Sequence, residues 1–105
     1  MPYFKVMLEG NNFLIEFNGE VKKSGFLTTR WVEAQTPEKA ELVAVKLVKK
    51  DKSLLDIMHN VNGEEPSPMI YLEEIAQTTW FQYMLRKPGT GYSFYPENEW
   101  NEGEV

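Results

Sequence analysis

The chain has 105 residues, of which 42% are hydrophobic and 26% charged, and its net charge is −5. That is room for one domain with one core, in the composition of a folded protein rather than a disordered one. Cysteine is absent, which excludes disulfides, zinc fingers, iron–sulfur sites and thiol catalysis.

The start, MPYFKVMLEG, has no apolar run behind a basic end, so it does not read as a signal peptide. No window approaches the roughly 18 apolar residues of a membrane span. The expectation is therefore a cytoplasmic location with no membrane contact.

Residues 3–9 alternate cleanly, Phe4, Val6 and Leu8 against Tyr3, Lys5, Met7 and Glu9. Residues 13–17 do the same, with Phe13, Ile15 and Phe17 on one side and Leu14 and Glu16 on the other. Gly10-Asn11-Asn12 between them tolerates positive φ, and the pattern predicts a β-hairpin turning there. Asn18-Gly19 then ends the second strand, and residues 21–25 lead to a third.

Residues 26–35 are aromatic, β-branched and threonine-rich, with no Gly or Pro, as a half-buried strand requires. Val32 and Ala34 are expected to face inward. At the start of the strand, Phe26 and Leu27 compete for the core side.

The organising element follows. Thr36 is the expected N-cap, Pro37 the first helical residue and Glu38 a first-turn carboxylate. Their hydroxyl, missing N–H and negative charge each suit that end of a helix. Ala40, Val43, Ala44, Leu47 and Val48 fall at helical spacing and predict an apolar stripe for a helix over about 37–50. Lys39, Glu41, Lys46, Lys49 and Lys50 lie off it.

Residues 52–63 read either as a short helix capped by Ser53 or as a packed loop. Asn62-Gly63-Glu64-Glu65-Pro66-Ser67-Pro68 is loop chemistry. Residues 69–80 return to strand, with Ile70 and Leu72 inward. Glu73-Glu74 breaks the alternation before Ile75 and calls for a bulge. Residues 80–85 either continue as strand or make a helical turn. Lys87-Pro88-Gly89-Thr90-Gly91 is a turn, and residues 92–95 are a last short strand.

The fold class predicted is α+β: an antiparallel sheet of four to five strands in the order β-β-β-α-β, the C-terminal strand being optional, with the main helix on one face. Residues 1–96 make the domain, and residues 97–105 an acidic, frayed tail. A hairpin, a third strand ending in VEAQTPEKAE, a helix and a fourth strand, over roughly residues 3–76, is similar in pattern to the HicB-like antitoxin fold and to a small ribosomal-protein fold. The likeness implies that architecture and carries no site residue across.

Nothing in the sequence marks a catalytic residue, a metal site or a cofactor. His59 is the only histidine and has no second ligand at metal spacing. Adjacent strand carboxylates such as Glu73 and Glu74 point to opposite faces and make no acid–base dyad. An inward one would pair with Arg30. Residues 87–91 lack the order of a phosphate loop.

Two features point toward partners instead. Residues 1–52 carry 9 Lys/Arg and 7 Asp/Glu (+2), whereas residues 53–105 carry 2 and 9 (−7). Trp80, Phe81, Tyr83, Tyr92, Phe94, Tyr95 and Trp100 also gather seven of the 14 aromatics (six Phe, five Tyr, three Trp) into the C-terminal part.

The reading is a non-enzymatic binding or regulatory module that uses these aromatics on a protein partner or on a second copy. The alternatives are a small enzyme or ligand-binding protein with a pocket between helix and sheet, built on Arg30, Glu74 or His59, and a nucleic-acid binder using Lys22, Lys23, Lys46, Lys49, Lys50 and Lys52. The surrounding acid disfavours nucleic acid.

Overall fold

Two strands twice the usual length form the centre of the molecule. The computed structural model describes residues 1–60, 67–88 and 91–97. Strand β1 (Tyr3–Phe17) and strand β2 (Glu20–Glu33) are followed by helix α1 (Pro37–Lys49), a one-turn helix α2 (Lys52–Leu55), strand β3 (Met69–Thr78), helix α3 (Trp80–Arg86) and strand β4 (Tyr92–Pro96). The described strands form one antiparallel sheet in the order β3-β1-β2-β4, which is the predicted α+β architecture.

The hairpin turns later than the sequence suggests. Asn18 (φ 51°) and Gly19 (φ 85°) are both left-handed, so Asn-Gly makes the two-residue turn that matches strand twist. Gly10-Asn11-Asn12 is not a turn. It is a bulge within β1, where Gly10 pairs with Phe26 and Phe13 with Ser24, leaving Asn11 and Asn12 opposite Gly25. Asn12 takes the one positive φ (65°) the bulge needs.

The bulge also explains why the alternation changes parity. Phe4, Val6 and Leu8 face α1 before it, and Phe13 and Ile15 after it, all buried. The two strands expected there are therefore one. The bulge predicted in β3 is present, with Glu73 skipped between the pairs Met7–Glu74 and Leu8–Leu72.

Beyond Asn11, β3 no longer lines β1, and the segment after α2 takes its place. His59 N–H donates to Leu14 O (2.7 Å) and Glu16 N–H to Ile57 O (3.0 Å). Asn60 closes the bulge: its Oδ1 accepts from Leu14 N–H (2.9 Å) and its Nδ2 donates to Asn12 O (3.1 Å).

Helix α1 starts as predicted, with Thr36 Oγ1 accepting from Lys39 N–H (3.2 Å) and Pro37 in the first turn. Its contact line is narrower than expected. Ala40, Ala44 and Val48 are fully buried, whereas Val43 and Leu47 are 39% and 47% exposed. Two alanines on that line let the helix backbone lie close to the sheet. Val43 and Leu47 project to one side, past the point where β4 stops opposite Thr28.

The core is completed by Phe26, Val32, Ala34 and Leu54. Phe26, not Leu27, takes the inward position, and its ring lies 5.0 Å from Phe13 and 5.2 Å from Tyr92.

Candidate functional site

The most polar part of the interior is built on Arg30, 4% exposed in the middle of β2. Its Nη1 donates to Thr28 Oγ1 (2.6 Å) and Thr29 O (3.1 Å), and its Nη2 to Asp51 Oδ2 (3.1 Å) and Tyr92 OH (2.8 Å). The Tyr92 hydroxyl in turn donates to Asp51 Oδ2 (2.7 Å). Thr28 Oγ1 donates to Gly91 O (2.8 Å). Asp51 Oδ1 accepts from Ser53 N–H (3.0 Å), which makes Asp51, rather than Ser53, the N-cap of α2.

One carboxylate therefore ties β2, β4 and the α1–α2 junction together. The expected partner of Arg30, an inward glutamate from β3, is not used: Glu73 and Glu74 are both exposed, and Glu74 sits opposite Met7. Among the described residues no buried side-chain nitrogen or oxygen lacks a hydrogen-bond partner. A cluster whose buried polar atoms are bonded to one another fixes the elements it joins.

Burial, and then the hydrogen bond to Asp51, push the Tyr92 hydroxyl well above the usual tyrosine value. Tyr95 is pushed up to about 12, by burial and by its hydrogen bond to Glu9 Oε2 (2.6 Å). The folded state thus holds both protons more tightly than the unfolded state does. Below pH ~10 both states are protonated and the stabilisation is complete; as pH rises through 10 it is progressively lost. Urea unfolding from pH 8 to pH 11.5 should show the midpoint falling only above about pH 10. The Tyr92→Phe/Tyr95→Phe protein should start from a lower midpoint and lose much of that alkaline slope.

The described members of the predicted surface aromatics do not share one surface. Tyr92 and Phe94 stack on each other (5.5 Å) and pack edge-on to Phe26, so they belong to the core side of the sheet. Tyr95 is on the other face, its ring lying over Gly25. Trp100 lies outside the described residues. Trp80 and Phe81 are 57% and 62% exposed, and with them Met84 and Leu85 at 50% and 61%.

These four are one face of α3, at helical spacing. The helix is capped by Thr79 Oγ1 (3.2 Å to Gln82 N–H) and is held to the sheet by Tyr83, whose ring lies 4.7 Å from that of Tyr3. Met84 and Leu85 were legible as the i+4 partners of Trp80 and Phe81, had residues 80–85 been read as helix alone.

The other candidates are scattered. His59 Nε2 lies 2.8 Å from Glu16 Oε1 at the exposed far end of β1. Arg30 is interior and Glu74 is on the outer face, so these three do not converge. A cavity of about 340 Å³ does lie between α1, α2 and the sheet, but Phe13, Val45, Leu54, Leu55, Met58 and Ile70 line it, with Lys49 the one ionic group among the described residues. Among the described residues no three His, Cys, Asp or Glu side chains are grouped to hold a metal, and no helix is long and apolar enough to cross a membrane.

A second depression, a groove of about 630 Å³, follows the open end of β2 from Arg30 to Glu33, with Val43 and Leu47 of α1 and the Lys50-Asp51-Lys52 junction on one wall and Tyr83 and Lys87 on the other. Comparison of the chain with protein-family models, with curated proteins and with solved structures finds no match.

Proposed function

We propose that the protein is a non-enzymatic binding module that acts through protein–protein contact, with the exposed face of α3 as its docking element. What carries the reading is that Trp80, Phe81, Met84 and Leu85, four of the seven residues of α3, are each half or more exposed on one face of one short helix. Scattered surface hydrophobics are ordinary, but large ones gathered on a rigid support are how hot-spot patches are made.

The occupant assigned is a second copy of the chain. An apolar face with no charged side chain among its four members is self-complementary, as a two-fold contact demands. The compartment assigned is the cytoplasm, since a cysteine-free domain draws nothing from an oxidising one.

Sedimentation velocity of the whole chain over a wide concentration range tests this. Association is expected, and Phe81→Asp or Leu85→Asp should weaken it at least about tenfold. Both positions are exposed, so the melting temperature should stay close to that of the parent. A parent that remains monomeric throughout, or variants that associate as well as the parent, would overturn the assignment.

A further inference from the structure

The groove beside β2 has a free strand edge as well as apolar walls. On one side of β2, Ala34 N–H donates to Pro2 O next to β1; on the other, Lys23 O accepts from Glu97 N–H next to β4. Strand alternation then turns the peptide groups of the odd residues from Lys23 to Glu33 away from β1.

Strand β4 covers only residues 24–28 of that edge. Thr29 O is taken by Arg30 Nη1 (3.1 Å). The peptide groups of Trp31 and Glu33 face the groove with no described strand against them. A strand edge of this kind is a template for an added strand.

The side chains around it set the chemistry of that strand. Trp31, Val43, Leu47 and Tyr83 offer an apolar slot, and Lys50, Lys52 and Lys87 rim it. Of these cations only Lys52 has an ion-pair partner among the described residues, Asp56 at 3.5 Å. The opposing acids are Glu33, 4.0 Å from the N-terminal ammonium, and Asp51, already bound to Arg30. The rim therefore favours an acidic strand with one large apolar anchor.

This chain carries such a segment. After Pro96 it reads Glu97-Asn98-Glu99-Trp100-Asn101-Glu102-Gly103-Glu104. It cannot place its tryptophan in its own groove. Pro96 lies opposite Ser24 and β4 is heading away from Trp31. The seven residues from Ser24 to Trp31 span about 23 Å at about 3.3 Å each. The four from Pro96 to Trp100 reach at most about 14 Å even if the chain doubled straight back. We infer that the groove takes the acidic segment around Trp100 of a second copy, added as a strand to the free edge of β2. The contact is separate from the exposed face of α3, since none of Trp80, Phe81, Met84 and Leu85 lines the groove.

Sedimentation equilibrium of the full chain at low and high salt is the test. Association that weakens with salt is expected. Trp100→Ala and Lys50→Glu/Lys87→Glu should each weaken it at least about tenfold, with melting temperatures close to the parent's. An equimolar mixture of those two variants should regain association, because one keeps a groove and the other a tryptophan.

A synthetic peptide of residues 97–105, titrated into the Trp100→Ala protein, should shift the amide resonances of Trp31, Glu33 and Lys50. A parent that is monomeric at every concentration, a mixture that stays monomeric, or a peptide that leaves those resonances in place would overturn the inference. Loss of association in Phe81→Asp but not in Trp100→Ala would also overturn it, while leaving the α3 contact standing.

Discussion

Asp51→Ala is expected to lower the free energy of unfolding by about 3–5 kcal/mol, the cost of stranding one partner of a buried ion pair. The size follows from where the positive charge is left. Arg30 is 4% exposed, its guanidinium is held from below by Thr28 Oγ1 and Thr29 O, and the Tyr92 ring lies over it at 5.0 Å. Burial at that level leaves its charge little access to water. Of the four acceptors around it, Asp51 alone carries negative charge.

The same carboxylate caps α2 through Ser53 N–H, which adds about 1 kcal/mol in ordinary hosts. Against a total stability of about 5–15 kcal/mol for a domain, such a loss is a large shift of the urea midpoint at unchanged slope. Two further variants separate its causes. Asp51→Asn keeps an acceptor for Ser53 and removes only the charge, so it should fall between the parent and Asp51→Ala. Arg30→Met/Asp51→Asn discards both charges and keeps the cap, and should recover most of the loss, since a buried pair contributes little net when both members are exchanged for groups that fit. A loss under about 1 kcal/mol in Asp51→Ala would mean that the pair does not hold these elements together.

That Arg30 would be interior was legible, because it shares the parity of Val32 and Ala34 in a strand of unbroken alternation. Which acid meets it was not. Asp51 is 21 residues away in sequence, at the end of α1, and its position depends on how far the helix runs along the sheet before it stops. The mistaken hairpin has a similar origin. Gly10-Asn11-Asn12 and Asn18-Gly19 are both credible places for positive φ, and only the pairing of residues 13–17 with residues 20–24 decides between them.

The change of parity, from Phe4, Val6 and Leu8 to Phe13 and Ile15, was in plain view. It fits a turn or a bulge equally well, so alternation alone could not choose. Helix α1 was the most legible element because cap, proline and stripe agree. What its stripe could not show is that β4 ends at Thr28, which leaves Val43 and Leu47 beside an open edge. The exposed face of α3 was half legible: the aromatics of residues 80–83 stood out, but their separation from Tyr92 and Phe94 is a product of the sheet order. None of these long-range facts has a local signature.

Phe26→Ala should cost about 3–5 kcal/mol, the range for deleting a fully buried phenylalanine, and its ring is packed against Gly10. Phe26 is completely buried, with Phe13, Tyr92 and Phe94 rings at 5.0, 5.2 and 6.0 Å. The fourth side of its ring lies across the backbone of Gly10, its cross-strand partner. A Cβ on Gly10 would sit 2.3–2.8 Å from three atoms of the ring. The ring is hemmed in by the other three and has nowhere to slide, so Gly10→Ala should cost about 1–3 kcal/mol by overpacking.

The two losses should not add. With the ring gone, an alanine at residue 10 meets no atom of Phe26, and in the Phe26→Ala background the substitution should be close to neutral. A double-mutant cycle should then return a coupling of about 1–3 kcal/mol. Gly25→Ala is the control. Its Cβ would meet Tyr95 at 2.5 Å, but at the ring carbon bearing the hydroxyl and at the hydroxyl itself, the far end of a side chain that is only partly buried. Tyr95 can swing outward for the loss of its 2.6 Å hydrogen bond to Glu9, so about 1 kcal/mol is expected. If Gly25→Ala proved the costlier of the two, the ring with no room to move would be Tyr95 and not Phe26.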